Sequence, residues 1–366
     1  MKFICEGLDL SEALLKVSKA CANKTTVAVL ECIKISAYND VLTLLASDGE
    51  LSIEKKIKAD VLEEGEVCVP GKTFTDFINK LVGVSVSFKT TENGLEIKYG
   101  ENSTSLQILP ASDFPVIDMN INENNFVIKN KVFKDIISRS IFCCAQDDSR
   151  PILKGCLLEI EEGKVTATAL DGFRMAVIED ETLSGSGKLR IVCPARTLSE
   201  ISKMIENDDK ELTEYVQNGM IMVKIENTTV MSRLYQGEFI NHRNITPTEF
   251  TTEITVNKAE LCESVERAGI LIRGDKNSLI IFDIKNDGIR ITSNSEMGNV
   301  LERVNCNLHG KELRIAMNSK YILESVKAVN DEEIKISFNS PISPFILTAI
   351  NPDGSLYLIL PVRTNN

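Results

Sequence analysis

The sequence predicts an α+β protein built from three tandem copies of one unit, each with two helices and antiparallel strands. Two observations predict this. Residues recur at a spacing of about 124 along the 366-residue chain, and each interval repeats the same succession of apolar periods. Phe3 returns as Phe126 and Asp48-Gly49 as Asp171-Gly172, both 123 residues on. Pro70, Pro194 and Asn318 are spaced by 124, as are Lys72, Arg196 and Lys320, and Asp76, Glu200 and Glu324. Lys80, Lys203 and Lys327 follow at 123 and 124, while Leu109 and Phe114 return as Leu234 and Phe239 at 125. Coincidence does not readily hold so many pairs in register.

Each unit opens with a short strand and an amphipathic helix. In the first, Leu10, Ala13, Leu14 and Val17 fall at helical spacing; the counterparts are Phe133, Ile136 and Ile137, then Leu261, Val265 and Ala268. Alternating strands follow at 41–45, 51–57, 165–169 and 289–292. A second helix starts after Pro70, Pro194 or Asn318. Its apolar stripes are Phe74, Phe77, Ile78 and Leu81, then Leu198, Ile201 and Met204, then Ile322, Val326 and Val329. Strands at 84–88, 95–99 and 106–109 close the first unit. Polar stretches at 120–125 and 246–252 mark the boundaries, giving domains 1–121, 122–248 and 249–366.

No apolar run approaches the length of about 18–20 residues that a membrane span needs. The start, Met1-Lys2-Phe3-Ile4-Cys5-Glu6, does not read as a signal peptide, so a cytoplasmic address is expected. Cys32, Cys68, Cys156 and Cys193 lie in apolar strand-like runs, and no Cys-x-x-Cys occurs. The cysteines therefore read as reduced, buried hydrophobes. Adjacent Cys143 and Cys144 point different ways on a helix and read as core or boundary residues.

The net charge is −12, yet the basic residues are not spread evenly. Across the segments 11–22, 72–82, 131–145, 196–206, 257–268 and 319–329 there are 13 Lys+Arg against 9 Asp+Glu, leaving 28 against 44 elsewhere. Lys72/Lys80, Arg196/Lys203 and Lys320/Lys327 recur at matching places. The acid four residues after the first of each pair is placed for an i, i+4 ion pair, in the weaker orientation. Solvated helix faces are the plain reading of such charges. Threefold recurrence favours a shared, weak and salt-sensitive contact with a polyanion.

Three strings, Ser149-Arg150-Pro151-Ile152-Leu153-Lys154-Gly155, Leu170-Asp171-Gly172-Phe173-Arg174-Met175-Ala176 and Leu358-Ile359-Leu360-Pro361-Val362-Arg363, together with the repeat, resemble the bacterial sliding-clamp family, the beta subunit of DNA polymerase III. The resemblance covers the whole chain. It implies the DNA clamp fold, a ring-forming homodimer around double-stranded DNA without sequence preference, and no cofactor, metal or catalytic residue. Twelve helices of about 10 Å each would set their axes on a circle of roughly 38 Å, leaving a hole of roughly 28 Å once about one helix diameter is subtracted.

The resemblance also implies a pocket for short linear peptides of the replicative polymerase, the clamp loader and repair proteins. Its residues here are Leu153, Leu170, Gly172, Phe173, Arg174, Met175, Ile240, Ile245, Asn318, Tyr321, Ile342, Pro344, Leu358, Leu360, Pro361, Val362 and Arg363. Apolar anchors from distant segments suit an extended peptide. Ring closure is implied at Thr104 and Leu106 against Ile270 and Leu271. DNA-facing positions are implied at Lys24 and Arg196 and join the helix residues Lys72, Lys80, Lys203, Lys320 and Lys327. The sequence departs from the family pattern at Phe173, where histidine is common, at Asn244, where arginine is familiar, and in the tail Thr364-Asn365-Asn366. At Asp147, Pro151 and Ile152 it lacks DNA contacts that some relatives use.

Enzymatic readings fare poorly. Gly185-Ser186-Gly187-Lys188 hints at a phosphate loop, but Thr182 stands where the first Gly is required and Leu189 where Ser or Thr is. His242 and His309 lie far apart, without metal-ligand spacing. A non-catalytic repeat scaffold that binds proteins but not DNA is the alternative; it would share the repeats and the pocket but not the basic lean of the helices.

Overall fold

A computed structural model describes residues 1–119, 125–185, 188–272, 274 and 278–363. Ser186 and Gly187 of the phosphate-loop-like string, the polar stretch 120–124 and the tail 364–366 lie outside the described residues. Among those described, six α-helices occur, all at expected places: α1 (Gly7–Val17), α2 (Gly71–Ile78), α3 (Asn130–Ser140), α4 (Ala195–Met204), α5 (Lys258–Ile270) and α6 (Ser319–Ala328). None of them is long and apolar enough to cross a membrane.

The chain separates into two compact units, one of residues 1–130 with 196–234 and the other of residues 131–195 with 235–366. In the first, one antiparallel sheet runs in the order Asp60–Glu63, Lys2–Glu6, Ser85–Thr91, Gly94–Tyr99, Asn102–Leu106. Another runs from Asn125–Lys129 through Glu211–Gln217, Met220–Ile225 and Thr228–Arg233, then through Leu51–Lys58, Val41–Ser47, Cys32–Tyr38 and Gly65–Pro70. The seam in that second sheet is the pairing of Thr228–Ser232 with Leu51–Lys55.

The other unit repeats the device. Arg174–Ile178 pairs with Ser355–Ile359. That seam joins the strands at 155–194 to those at 252–257, 307–310, 333–338 and 345–359, while Leu279–Lys285, Gly288–Ser295, Gly298–Val304 and Leu313–Asn318 form a separate sheet.

The expected apolar stripes face inward. Leu10, Leu14 and Val17 of α1 are fully buried, as are Leu198 of α4, Leu261 of α5 and Ile322 of α6. The strand expected at 106–109 is displaced: Asn102–Leu106 forms the strand, and Leu109 makes only an isolated bridge to Cys68. Pro110, next in sequence, has no amide to continue a ladder. The second helix of the first repeat is also shorter than its stripe, ending at Ile78 with Leu81 folded in from the following turn.

Asp48 and Asp171 make the same turn twice. Asp48 Oδ1 accepts from the amides of Glu50 (3.0 Å) and Leu51 (2.9 Å), and Asp171 Oδ1 from those of Phe173 (2.8 Å) and Arg174 (3.0 Å). The glycines that follow, Gly49 and Gly172, sit at φ 94° and 91°, where a side chain is strained.

All ten cysteines are free. Cys143 ends a 3₁₀ turn and Cys144 follows it, so the pair is not helical in the expected sense. Burial raises both thiols, which keeps them from the thiolate that redox chemistry needs.

In the second unit α3 is tied to the last repeat through Arg139. Its guanidinium reaches the Ala328 carbonyl at 3.1 Å, Asp135 at 2.8 Å and the Asp353 carboxylate. The buried Tyr357 hydroxyl donates to the Arg139 and Ala328 carbonyls at 3.2 Å each.

Space at the start of α1 is tight. A Cβ on Gly7 would lie 2.0 Å from the Leu81 carbonyl oxygen and 2.8 Å from that of Val84. Gly7→Ala should therefore destabilise the first repeat by about 1–3 kcal/mol, although alanine is the better helix former. A lower urea midpoint at unchanged slope is the expected reading, and an unchanged midpoint would contradict it.

Candidate functional site

The site grows out of the second seam. Arg174 and Met175 pair with Ile359 and Leu358, and the chain then leaves the sheet with Leu360 N donating to Phe173 O and Val362 N to Ala316 O, both at 2.8 Å. These bonds hold the Leu358–Arg363 string, by its backbone, beside the Asp171-Gly172 turn.

Beneath it lies one apolar cluster. Leu153, Leu170, Met175 and Leu358 are buried there with Leu157, Val177, Val192 and Phe239, and Leu360 packs partly against them. Large apolar side chains also stay in solvent: Phe173 is 59% exposed, Ile342 66%, Ile240 38% and Ile245 42%. The anticipated residues thus fall into two kinds. Leu153, Leu170, Met175 and Leu358 are floor, with little surface to offer. Phe173, Ile240, Ile245 and Ile342 carry the open apolar area, and Pro344, Tyr321, Pro361 and Val362 are half-buried.

Arg174 is held by intramolecular partners. It is 7% exposed, and its guanidinium lies 4.6 Å from the Tyr321 ring centre and 5.3 Å from that of Phe142. Nε donates to Asp171 Oδ2 at 3.1 Å, Nη2 to the Phe142 carbonyl at 2.7 Å, and Nη1 to Glu324. The arginine therefore braces the site: it fixes Tyr321, on which Phe173 stacks at 6.3 Å. Burial pushes the Tyr321 phenol up, and Asp171 adds to this.

Asn318 also has a local task. Its Oδ1 caps α6 by accepting from the amides of Lys320 (2.9 Å) and Tyr321 (3.2 Å). Nothing in the sequence marks Phe142 or Glu324 as neighbours of Arg174. Glu324 had a rival local partner in Lys320, and nothing in a contiguous string records contacts across 150 residues.

The recurring basic residues do not make the i, i+4 pairs that their spacing allowed. Glu324 is taken by Arg174, Glu200 by Lys203 at 2.7 Å, and Arg196 by Asp48, with Arg196 also donating to the Lys19 carbonyl at 2.7 Å. Lys327 reaches across from α6 to Glu266 of α5 at 2.6 Å. Among the described residues Lys24, Lys72, Lys80 and Lys320 are exposed and in no ion pair. Of the seven basic positions anticipated to face DNA, these four are the ones left out of ion pairs.

Thr104 and Leu106 are half-buried on Asn102–Leu106, an edge strand of the first unit. In the other unit Ile270 ends α5 and is 53% exposed, Leu271 is half-buried and Ile272 is buried. The neighbouring edge strand Gly298–Val304 adds Leu301, 58% exposed.

Comparison with known proteins covers the same ground. Models of the DNA polymerase III beta subunit match in order: its N-terminal domain over residues 1–118, its central domain over 127–241 and its C-terminal domain over 243–363. The chain is 32% identical to the beta sliding clamp of Halalkalibacterium halodurans, with 100% of each chain covered. It is 29% identical to that of Staphylococcus aureus strain Mu50, over 94% of this chain and 95% of the relative. Among solved structures, the DNA polymerase sliding clamp from Bacillus subtilis superposes with a TM-score of 0.94 at 28% identity, each chain covered in full. A putative DNA polymerase III beta subunit from Eubacterium rectale gives 0.93 at 31%, again over 100% of both.

The division between brace and rim is testable. Arg174→Ala leaves Asp171 and Glu324 without their partner and should cost about 3 kcal/mol in thermal or urea unfolding. Phe173→Ala should leave stability within about 0.5 kcal/mol while weakening an aromatic- and leucine-anchored peptide by about tenfold or more in calorimetry. Equal effects of the two substitutions on stability would remove the distinction.

Proposed function

Because this chain belongs to the DNA polymerase III beta subunit family, we propose that it works as a DNA sliding clamp. Two copies close head to tail around double-stranded DNA and tether the replicative polymerase without chemistry of their own. The observation that carries this reading is the convergence of the seam and pocket residues. Leu153, Leu170, Met175, Leu358 and Leu360, scattered in sequence, meet in one apolar cluster, while Phe173, Ile240, Ile245 and Ile342 leave large apolar side chains in solvent. A surface of that kind suits an extended peptide, the means by which polymerase, clamp loader and repair proteins would share one ring.

In this reading the three domains are 1–121, 122–248 and 249–366, and the protein acts in the cytoplasm. Lys24, Lys72, Lys80 and Lys320 give the mobile contact with phosphate. Arg196, Lys203 and Lys327, already paired with carboxylates, contribute less. An acidic chain with a few free cations holds duplex weakly, which suits movement along it. Ring closure uses the apolar edge positions: Thr104 and Leu106 of one copy meet Ile270 and Leu271 of the other.

Two experiments test the proposal. After loading by an ATP-driven clamp loader, the protein should stay on nicked circular DNA and run off the same DNA once it is linearised. Equal retention on both would mean ordinary surface binding and end the ring argument. Placing aspartate at Leu106 and Leu271 together should give monomers in sedimentation that still bind the peptide; a stable dimer would overturn the interface assignment.

A further inference from the structure

The second repeat carries a carboxylic acid in its core where the other two carry hydrocarbon. Strand Glu211–Gln217 alternates, with Leu212, Glu214 and Val216 buried and the residues between them more open. Glu214 is 0% exposed, and neither carboxylate oxygen has a hydrogen-bond partner. It lies in register with Phe126 on one side and Val223 on the other, both buried. Helix α4 covers the same face, since Thr197 Oγ1 lies 2.7 Å from Oγ of Ser232, which pairs with Ile221 two residues before Val223. The buried side chains of α4 are Thr197, Leu198 and Ile201, none of them titratable.

The repeat shows what belongs there. In the first copy Phe3 pairs with Phe88, and the two rings stack at 4.6 Å. In the third, Ile254 pairs with Ile336, both buried. In the second, Phe126 pairs with Glu214. An ionised carboxylate in such surroundings is expensive, and the group keeps its proton instead.

We propose that Glu214 is a proton-operated weak point in the second repeat, closed while the carboxyl holds its proton and loosened when the proton is lost. Burial alone raises the group from 4.5 to about 8, and no charged side chain on any element around it contributes. The folded form therefore binds more protons than the unfolded chain between these values. Stability is undiminished below about 4.5, falls as pH rises towards about 8, and is level beyond. Most carboxylates in proteins act in the opposite sense.

The test uses the full chain with Glu214→Met and Glu214→Gln, unfolded by urea at several pH values from about 5 to about 9. Relative to Glu214→Met, the unfolding equilibrium constant of the parent should rise about tenfold per pH unit through the window. Amide exchange, corrected for its own pH dependence, should quicken in strands Glu211–Gln217 and Met220–Ile225 of the parent alone. Parallel pH curves for parent and variant would overturn the proposal, because Glu214 would then be ionised and satisfied throughout. Should the substitutions prevent folding, infrared difference spectra of the parent decide. A protonated carboxyl C=O band lost between about pH 6 and pH 9.5 supports the proposal, and no such band overturns it.

Discussion

Antiparallel pairing across the repeat seams is the constraint on which the rest depends. At Thr228–Ser232 with Leu51–Lys55, and again at Arg174–Ile178 with Ser355–Ile359, the ladder of one repeat continues into that of another. A strand left at such a boundary would expose unpaired amides and carbonyls; pairing removes that edge and fixes the register of everything attached. The proposed peptide site is a by-product of the second seam. The strand that completes the sheet is the last one, and its exit, Leu360 to Val362, lies beside the Asp171 turn because two backbone hydrogen bonds place it there.

The Asp-Gly turn beside each seam is built in the same way, yet the side chains around it differ. Where the second seam offers Leu170, Phe173 and Met175, the positions 123 residues earlier are Ser47, Glu50 and Ser52. One shared backbone thus carries an apolar set and a polar one, buried at Leu170, Met175, Ser47 and Ser52 and exposed at Phe173 and Glu50. This separation of frame from chemistry is what repeat proteins permit: the ladder needs only backbone, so the side chains it carries are free to diverge. Arg174 shows the same economy in reverse, since a residue of the expected site is spent on holding Tyr321 and Phe142 in place.

Electrostatics in the helices follow from competition between partners. Spacing on a helix makes Lys320 and Glu324 neighbours, but an exposed i, i+4 pair is worth only about 0.3–0.5 kcal/mol. A buried arginine stacked between two rings has more to gain from the same carboxylate, and Glu324 goes to Arg174. Asp48 draws Arg196 in the same manner. Which of the anticipated basic positions stay out of ion pairs, Lys24, Lys72, Lys80 and Lys320, is therefore set by tertiary contacts, although the recurrence of Lys72, Lys80 and Lys320 is visible in the chain.

What the sequence determined by itself was local and repeated. The helices, their buried stripes, the Asp-Gly turns and the threefold period depend on residues within a few positions of each other, or on equal spacing, and all stand in the chain as written. Its long strings also carried the family resemblance. Tertiary structure alone decided which of the anticipated residues are buried and which exposed, that the Arg174 guanidinium goes to Asp171, Glu324 and the Phe142 carbonyl, that Ile272 is buried beside an exposed Ile270, and that Glu214 has Phe126 and Val223 as its neighbours. These depend on strand register and on side chains more than a hundred residues apart, and a one-dimensional pattern holds no term for the partner that wins when two compete.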